Sequence, residues 1–519
     1  MSYIVHQKVK GKTYAYEAES YWDPEKKAPR QRRRYLGVVD ELTGQIIEKS
    51  FQRDIKSAKD YGPTYLLDHI AGELKLRKKL SDAFGAQGEE ILALAIAKVI
   101  KPDALRNLHR VLEDSFLPEL YSMKGEYTSQ RMSRLIEDLG GKEAAMASFY
   151  ASLVRPNEKA LIYDITSLSS YSRNMEWLEY GYNRDGMGLP QVNLGLVVSL
   201  ETKMPLLLKL FPGSVTDVVT LRNLAEEARS IGIIDCMFII DRGFYSEGNI
   251  EMLKEANIDF ILPLPFGRKV GKGLISETNA SIADAENARI FKDEVYHVVE
   301  EELEIAGVKL KGFVFFSKKK ESEQHQSFYR HLLDVEQVLE GTKVWRGNPM
   351  QHFKDAAGQF ANYFECTVQD RVLHLKRRQN AIAQAENRFG KMILLSSQTD
   401  ATWENVLSLY RQREEVEEHF NQLKNELGLM PLRIQKTVSL RGLLFIFFVA
   451  LMIRVQLLNR AREAGLLARQ SVDDIMFEMS KVRAVSTGGR WMLTEVTKNA
   501  RVPLQKMKIP VPVGVKTYL

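Results

Sequence analysis

Between Ala160 and Leu264 the sequence breaks into five short apolar runs separated by two amphipathic stretches, and few folds accept that order. Ala160–Thr166 (ALIYDIT), Gln191–Leu200 and Pro205–Phe211 read as three consecutive strands. Thr216–Gly232 then sets Leu221, Leu224, Ala225 and Ala228 along one side of a helix. Cys236–Asp241 (CMFIID) is a fourth strand, Ser246–Ala256 a second helix and Ile258–Leu264 a fifth strand. Short continuous apolar runs suit strands covered on both faces, whereas a period of 3.6 marks the helices. Three strands in succession followed by strand–helix alternation predict a mixed sheet, an antiparallel meander continued by parallel strands.

This β-β-β-α-β-α-β order is the ribonuclease H-like arrangement, so the expected class is α/β, with the core at residues 158–266. At 519 residues the chain also exceeds one domain; about 100–200 residues per domain gives roughly three to four. Residues 1–60 alternate in strand fashion (Tyr3–Val9, a Gly11-Lys12 turn, Thr13–Tyr21, Arg34–Val39, and Gln45–Glu48 around Thr43-Gly44) and are expected to form a basic N-terminal β-ribbon. Residues 61–157 read as a helical domain. Ile91, Leu92, Leu94, Ala95, Ile96 and Val99 mark a helix ended by Pro102, and Thr128 caps one stopped at Gly140-Gly141. Lys391–Ser396 restores a core strand and Trp403–Gly428 a long helix, so the core resumes over 389–465. The block 267–388 mixes strands (Tyr296–Ile305, Val308–Phe316, Cys366–Leu375) with charged helices and is expected to be an inserted β-rich domain. Residues 466–519 form a basic helical or tail region.

Hydrophobic residues make up 45% and charged residues 27%, which excludes a disordered chain or a fibre. Two cysteines, Cys236 and Cys366, exclude a disulfide framework and a Cys-rich zinc site. The first residues turn polar too early for a signal peptide. The apolar run Leu443–Ile453 falls short of the roughly 20 residues of a membrane span and reads as a buried core helix. These readings predict a soluble, cytoplasmic chain with no membrane partner. The net charge of +6 is small, but its placement is uneven. From Lys481 onward eight Lys/Arg stand against Glu495 alone, and Lys26–Arg34 (KKAPRQRRR) holds six basic residues and no acid. Two basic ends on a near-neutral body predict arms that grip a polyanion.

The helix expected over Leu409–Leu427 carries an unusual stripe. With Tyr410 as origin and about 100° per residue, Arg413 falls at about 300°, Glu417 at about 340° and Lys424 at about 320°. Leu409, Val416, Phe420, Leu423 and Leu427 lie immediately beside them, so the stripe borders the buried face. Two strand acids add to it: Asp164 sits inside ALIYDIT and Asp241 closes CMFIID. A carboxylate in a buried strand needs a partner or a metal. Three carboxylates in one site would repel by about 4 kcal/mol per pair at an effective dielectric near 20. Divalent cations relieve this, and oxygen-only ligation favours Mg²⁺ or Mn²⁺. Two such ions about 3.5–4 Å apart would activate a nucleophilic oxygen and stabilise the leaving one in displacement at phosphorus.

Tyr410-x₂-Arg413-x₃-Glu417-x₆-Lys424 resembles the Tyr-Arg-Glu-Lys signature of prokaryotic insertion-sequence transposases with a DDE catalytic triad. YDITSLSSYS around Asp164, LPQVNLGLVVS at Leu189–Ser199, FIIDRGFYSEGNI around Asp241, SYWD (Ser20–Asp23) and RRYLG (Arg33–Gly37) resemble the same family. The resemblance implies that Asp164, Asp241 and Glu417 hold two metal ions and that Tyr410, Arg413 and Lys424 contact phosphates near the cleaved end. It implies a cut-and-paste enzyme that nicks the terminal inverted repeats of its element with Mg²⁺ (Mn²⁺ substituting) and transfers the strand to target DNA. A homodimer on double-stranded DNA, nucleoid-associated in the cytoplasm, follows; the helical block 61–157 itself reads as a DNA-binding domain, with plain packing material as the equal alternative. The 176 positions between Asp241 and Glu417, against 77 between Asp164 and Asp241, match the family's inserted domain. Relatives that cut through a hairpin stack a flipped base on an insertion-domain Trp; Trp345 is the Trp of this insertion, although a core role is the commoner one for such a residue. A host nuclease of the same fold and a silent transposase-derived DNA-binding protein are the competing readings.

Other patterns fall away. Gly267-x₃-Gly271-Lys272-Gly273 is one residue short of a phosphate loop and has Gly where Ser or Thr is needed. No HExxH or zinc-finger spacing occurs among the nine His. SLSSYS (Ser167–Ser172) is not a nucleophile elbow, and Asp217 reads as a helix-start residue.

Overall fold

The computed structural model describes residues 2–516 apart from 10–11, 25, 40–43, 45, 48–54, 105–106, 156–157, 173–174, 182–187, 234–235 and 488–489. The turns expected at Gly11 and Thr43, and Gln45 and Glu48 of one expected strand, lie outside the described residues. Ser2–Val9 (β1), Lys12–Asp23 (β2), Ala28–Val39 (β3) and Ile46–Ile47 (β4) form an antiparallel sheet in sequence order. Ile55–Asp60 (β5) leads into the helices.

The mixed sheet expected from the sequence is present. Its central strands are Ala160–Ser169 (β6), Gln191–Ser199 (β7), Pro205–Pro212 (β8), Met237–Ile240 (β9) and Asp259–Pro263 (β10). They lie in the order β8-β7-β6-β9-β10, antiparallel across the first three and parallel from β6 through β9 to β10. Every residue of β6 and β7 is buried, as the unbroken apolar runs require. The arrangement is a ribonuclease H-like α/β sheet.

The region 267–388 divides in a way its sequence does not announce. Ala288–Phe291 (β11), Glu294–Ile305 (β12) and Val308–Phe316 (β13) are hydrogen-bonded into the same sheet, through Lys391–Ser396 (β16) onto β10. They extend the core sheet to nine strands. Between them and β16, the helices Lys318–Leu339, Pro349–Ala357 and Gln379–Glu386 pack with the hairpin Phe364–Gln369 (β14) and Val372–Arg377 (β15) around a separate small core that includes Phe328, Leu332 and Phe364. The independently packed part is therefore mostly helical, not β-rich. The single strand read over Cys366–Leu375 is this hairpin, turned at Asp370 and Arg371, both at positive φ.

The helix Thr437–Glu463 ties the molecule together. It is long and apolar enough by length and composition to cross a membrane, yet 89% of its apolar window is buried inside the fold. It packs against Ser129–Gly140 and Gln87–Ile100 on one side and against β8 on the other. That double burial explains why it is apolar all round. Thr128 caps its neighbour as expected, its hydroxyl accepting from the Arg131 amide at 3.3 Å.

The basic C-terminal segment is not a free arm. Arg483–Thr487 (β17) pairs with β5 and with Arg490–Leu493 (β18), and Leu504, Met507 and Ile509 are buried. The Tyr65 hydroxyl donates to the Pro510 carbonyl at 2.8 Å. Apolar side chains between the lysines anchor the segment, a pattern that the charge count hides.

Lys98 is fully buried, its amine donating to the Asp103 carbonyl and lying 4.6 Å from the Phe447 ring centre. Burial pushes that amine from the ordinary 10.5 down to about 8. The folded chain thus holds the proton less tightly than the unfolded chain. Stability is lowered below pH 8, and the cost fades as pH rises toward 10.5. Lys98→Met is expected to raise stability at pH 7, because it removes a buried charge whose proton the fold holds less tightly than the unfolded chain. The gain should shrink at pH 9.5, as measured by urea midpoints at the two pH values.

Candidate active site

β6 and β9 run parallel with Ile162 opposite Ile239 and Tyr163 opposite Ile240. One further step along both strands sets Asp164 beside Asp241, so residues 77 apart in sequence meet at the carboxyl end of the parallel pair. This is where open α/β sheets place their ligands. Asp164 is 9% exposed, and one of its carboxylate oxygens accepts from the Ile165 amide at 2.8 Å. Asp241 closes β9 and opens the short turn Arg242–Phe244.

The helix expected over Trp403–Gly428 is interrupted. Trp403–Arg411 and Glu414–Asn421 are separate α-helical pieces, and Gln422–Glu426 is a π-helical turn. Arg413 stands at the break and Lys424 within the π turn, so the four signature residues do not lie on one straight α-helix. Interruptions of this kind recur at functional sites. Glu414–Asn421 packs across β6 and β7, which carries Glu417 over to Asp164.

Arg413 joins the three acids. Its guanidinium donates to Asp164 at 3.2 Å and to Glu417 at 2.7 Å and lies 3.9 Å from Asp241. Burial works against this charge, but Asp241, Tyr410, Asp164 and Glu417 outweigh it and hold Arg413 above its ordinary pKa. Tyr410 is pushed up to about 12, chiefly by burial and then by Asp241 against the opposing Arg413, so its hydroxyl keeps its proton. The three carboxylates thus arrive from two neighbouring strands and one packed helix, around one fixed cation.

Several contributors lacked a sequence signal. His419 is buried, its ring bonded to the Lys203 carbonyl at 2.7 Å and to the Glu415 carbonyl, which pins the Glu417 helix to the β7–β8 turn. The Lys203 amine reaches the Gln412 side chain at 2.6 Å and reinforces that attachment. A cleft of about 390 Å³ beside Asp241 is lined by Arg242, Lys320, Lys391, Tyr296 and Tyr410 as well as Arg413. Arg242 could have been found from its place after Asp241, whereas Lys320 and Lys391 arrive through the sheet extension. Asp217 begins its helix as expected, and its carboxylate also lies close against Gly243, two residues beyond Asp241. Trp345 is 77% exposed, with the Lys343 amine 4.8 Å from its ring centre, so it is not a core residue.

A family model described as the transposase DDE domain matches residues 155–453, more than half of the chain. The chain belongs to that family. The match opens just before β6, closes within the helix Thr437–Glu463, and spans Asp164, Asp241 and the whole signature segment of this DDE transposase. One solved structure, a piggyBac transposase synaptic complex with hairpin DNA, is similar at 10% identity and a TM-score of 0.39, over 80% of this chain and 79% of that one. No curated protein matches.

DDE transposases typically employ divalent cations. Among the described residues no three His, Cys, Asp or Glu side chains already stand at the spacing of a metal cage. The donor chemistry nevertheless fits: Asp164, Asp241 and Glu417 supply oxygens alone, and they converge on a positive charge that Arg413 furnishes in this structure.

Proposed function

We propose that the chain cuts DNA at the terminal inverted repeats of an insertion sequence and transfers the freed strand to target DNA. The observation that carries this is the convergence of Asp164, Asp241 and Glu417 on Arg413 at the carboxyl end of β6 and β9. Water attacks a phosphodiester, which leaves a 5′-phosphate and frees a 3′-hydroxyl; that hydroxyl attacks a second DNA phosphate and expels the 3′-oxygen of the strand it joins. Mg²⁺, or Mn²⁺ in its place, would be held as two ions by Asp164, Asp241 and Glu417 and would supply activation of the attacking oxygen and charge relief on the leaving one. Arg413 neutralises the acids and can turn its second face to a phosphate, Tyr410 donates a proton-bearing hydroxyl beside it, and Lys424 contacts the DNA backbone. A homodimer on DNA brings two ends together, in the cytoplasm at the nucleoid.

The test is cleavage of a labelled duplex carrying the flanking repeat, against a shuffled duplex, with Mg²⁺ and with chelator. Metal-dependent nicking at the repeat boundary supports the proposal. Equal cutting of both duplexes would instead indicate a host nuclease, and binding without cutting in Mg²⁺ or Mn²⁺ a silent DNA-binding protein. Arg413→Ala is expected to lower the single-turnover rate on the order of 10²-fold, the effect of losing one charge-stabilising donor. Arg413→Lys should recover little of it, because a point charge cannot bridge separated carboxylates as the planar fork does.

A further inference from the structure

The N-terminal sheet has two faces of different chemistry. Register and alternation put Tyr3, Ser20, Trp22, Gln31, Arg33 and Tyr35 on one face of β1–β3. The other carries Glu17 opposite Arg34, Glu19 opposite Arg32, and Asp23 ion-paired to Arg30 at 3.6 Å. Every carboxylate of these three strands is therefore on that second face, where arginines answer it. The first face has no carboxylate, and its rings stand in solvent: Trp22 is 63% exposed, Tyr3 44% and Tyr35 40%. Among the described residues of these strands, the fully buried hydrophobic side chains are Ala15 and Ala18. A sheet this bare gains stability from a covering partner.

Resting on the reading of DNA as substrate, we infer that this aromatic face enters the major groove of the repeat and that Gln31 and Arg33 read base edges. Gln31 and Arg33 are held side by side, the Arg33 guanidinium donating twice to the Gln31 carbonyl oxygen at 3.1 and 3.3 Å. Gln31 in turn donates to the Tyr3 hydroxyl across Ala18, whose small side chain lets the two strands' residues meet. Gln pairs bidentately with adenine and Arg with guanine in that groove. Two residues along a strand advance about 6.8 Å, which is two base steps of about 3.4 Å. Among the described residues, Ser20–Asp23 and Ala28–Gln31 pair with each other alone, so the tip of β2–β3 is a two-stranded ribbon, the element that a groove about 12 Å wide admits. A surface without carboxylates meets the phosphate walls unopposed, whereas the opposite face meets them with its acids.

Fluorescence anisotropy of the full chain on the repeat duplex and on a shuffled duplex tests this, using native chain, Gln31→Ala/Arg33→Ala and, on the opposite face, Arg30→Ala/Arg32→Ala. The preference for the repeat should fall at least tenfold in the first variant and hold within about twofold in the second. 7-Deazaguanine in the repeat should reduce native binding and leave the Gln31/Arg33 variant unaffected. A repeat preference that survives Gln31→Ala/Arg33→Ala overturns this inference alone and leaves the transposase reading standing. Loss of dimer by sedimentation with that preference intact would assign the face to a second copy of the chain instead. Cleavage with no preference for the repeat in the native chain would overturn both readings.

Discussion

Asp164→Ala and Glu417→Gln are each expected to reduce metal-dependent DNA cleavage on the order of 10³-fold or more, in chains that stay folded. Charge stabilisation by a bound metal is worth several kcal/mol, and each 1.36 kcal/mol is tenfold in rate. Folding should survive because the acids repel one another across a single guanidinium. Removing one carboxylate relieves repulsion while Arg413 keeps two partners. Single-turnover cleavage and thermal unfolding measured on the same preparations check both halves. Retained cleavage in either variant would refute its place in the triad. A large loss of stability would show that its role is structural.

Gly442→Ala is expected to give a large loss of stability from one added methyl group. A Cβ at Gly442 would stand 1.9 Å from the Ile136 carbonyl oxygen, and one at Gly140 would stand 1.8 Å from that of Val438. The helices Ser129–Gly140 and Thr437–Glu463 therefore cross backbone against backbone at paired glycines. No flexible side chain can give way, so the helices must separate. That overpacking costs about 3 kcal/mol, more than the roughly 1 kcal/mol that alanine gains over glycine inside a helix. Gly72→Ala is the control, because nothing stands within 4 Å of its added carbon; it should be neutral or slightly stabilising. Urea midpoints of the two variants should move in opposite directions. An unchanged midpoint for Gly442→Ala would mean that the crossing is not tight.

That Asp164 and Asp241 lie at neighbouring strand ends was legible because strand pairing is local in its rules. After an antiparallel meander, the third strand runs parallel to the first, and a helical crossover from it sets the fourth strand parallel to both, so the acid-bearing ends of the first and fourth coincide when they pair. Glu417 was legible through its spacing from Arg413, which brings the two within reach on one helical turn. The π turn at Gln422–Glu426 was not, because such a turn depends on what packs beneath the helix and leaves no mark in periodicity. The sheet extension beyond β10 was illegible for a related reason: Val308–Phe316 pairs with a strand about 80 residues later, and a pairing partner that far away has no sequence signature.

Amino-acid pattern by itself determined the α/β class, the order of the central strands, the two strand acids and the signature spacing. All of these follow from periodicity and from the cost of burying an unpaired charge. Tertiary structure decided that the basic C-terminal segment is tied to β5, that an apolar 27-residue helix is a shared core, and that Arg413 sits among all three acids. Each of these is a contact between distant segments, chosen by which surfaces fit together once the local elements exist, and local physics sets the elements without setting their partners.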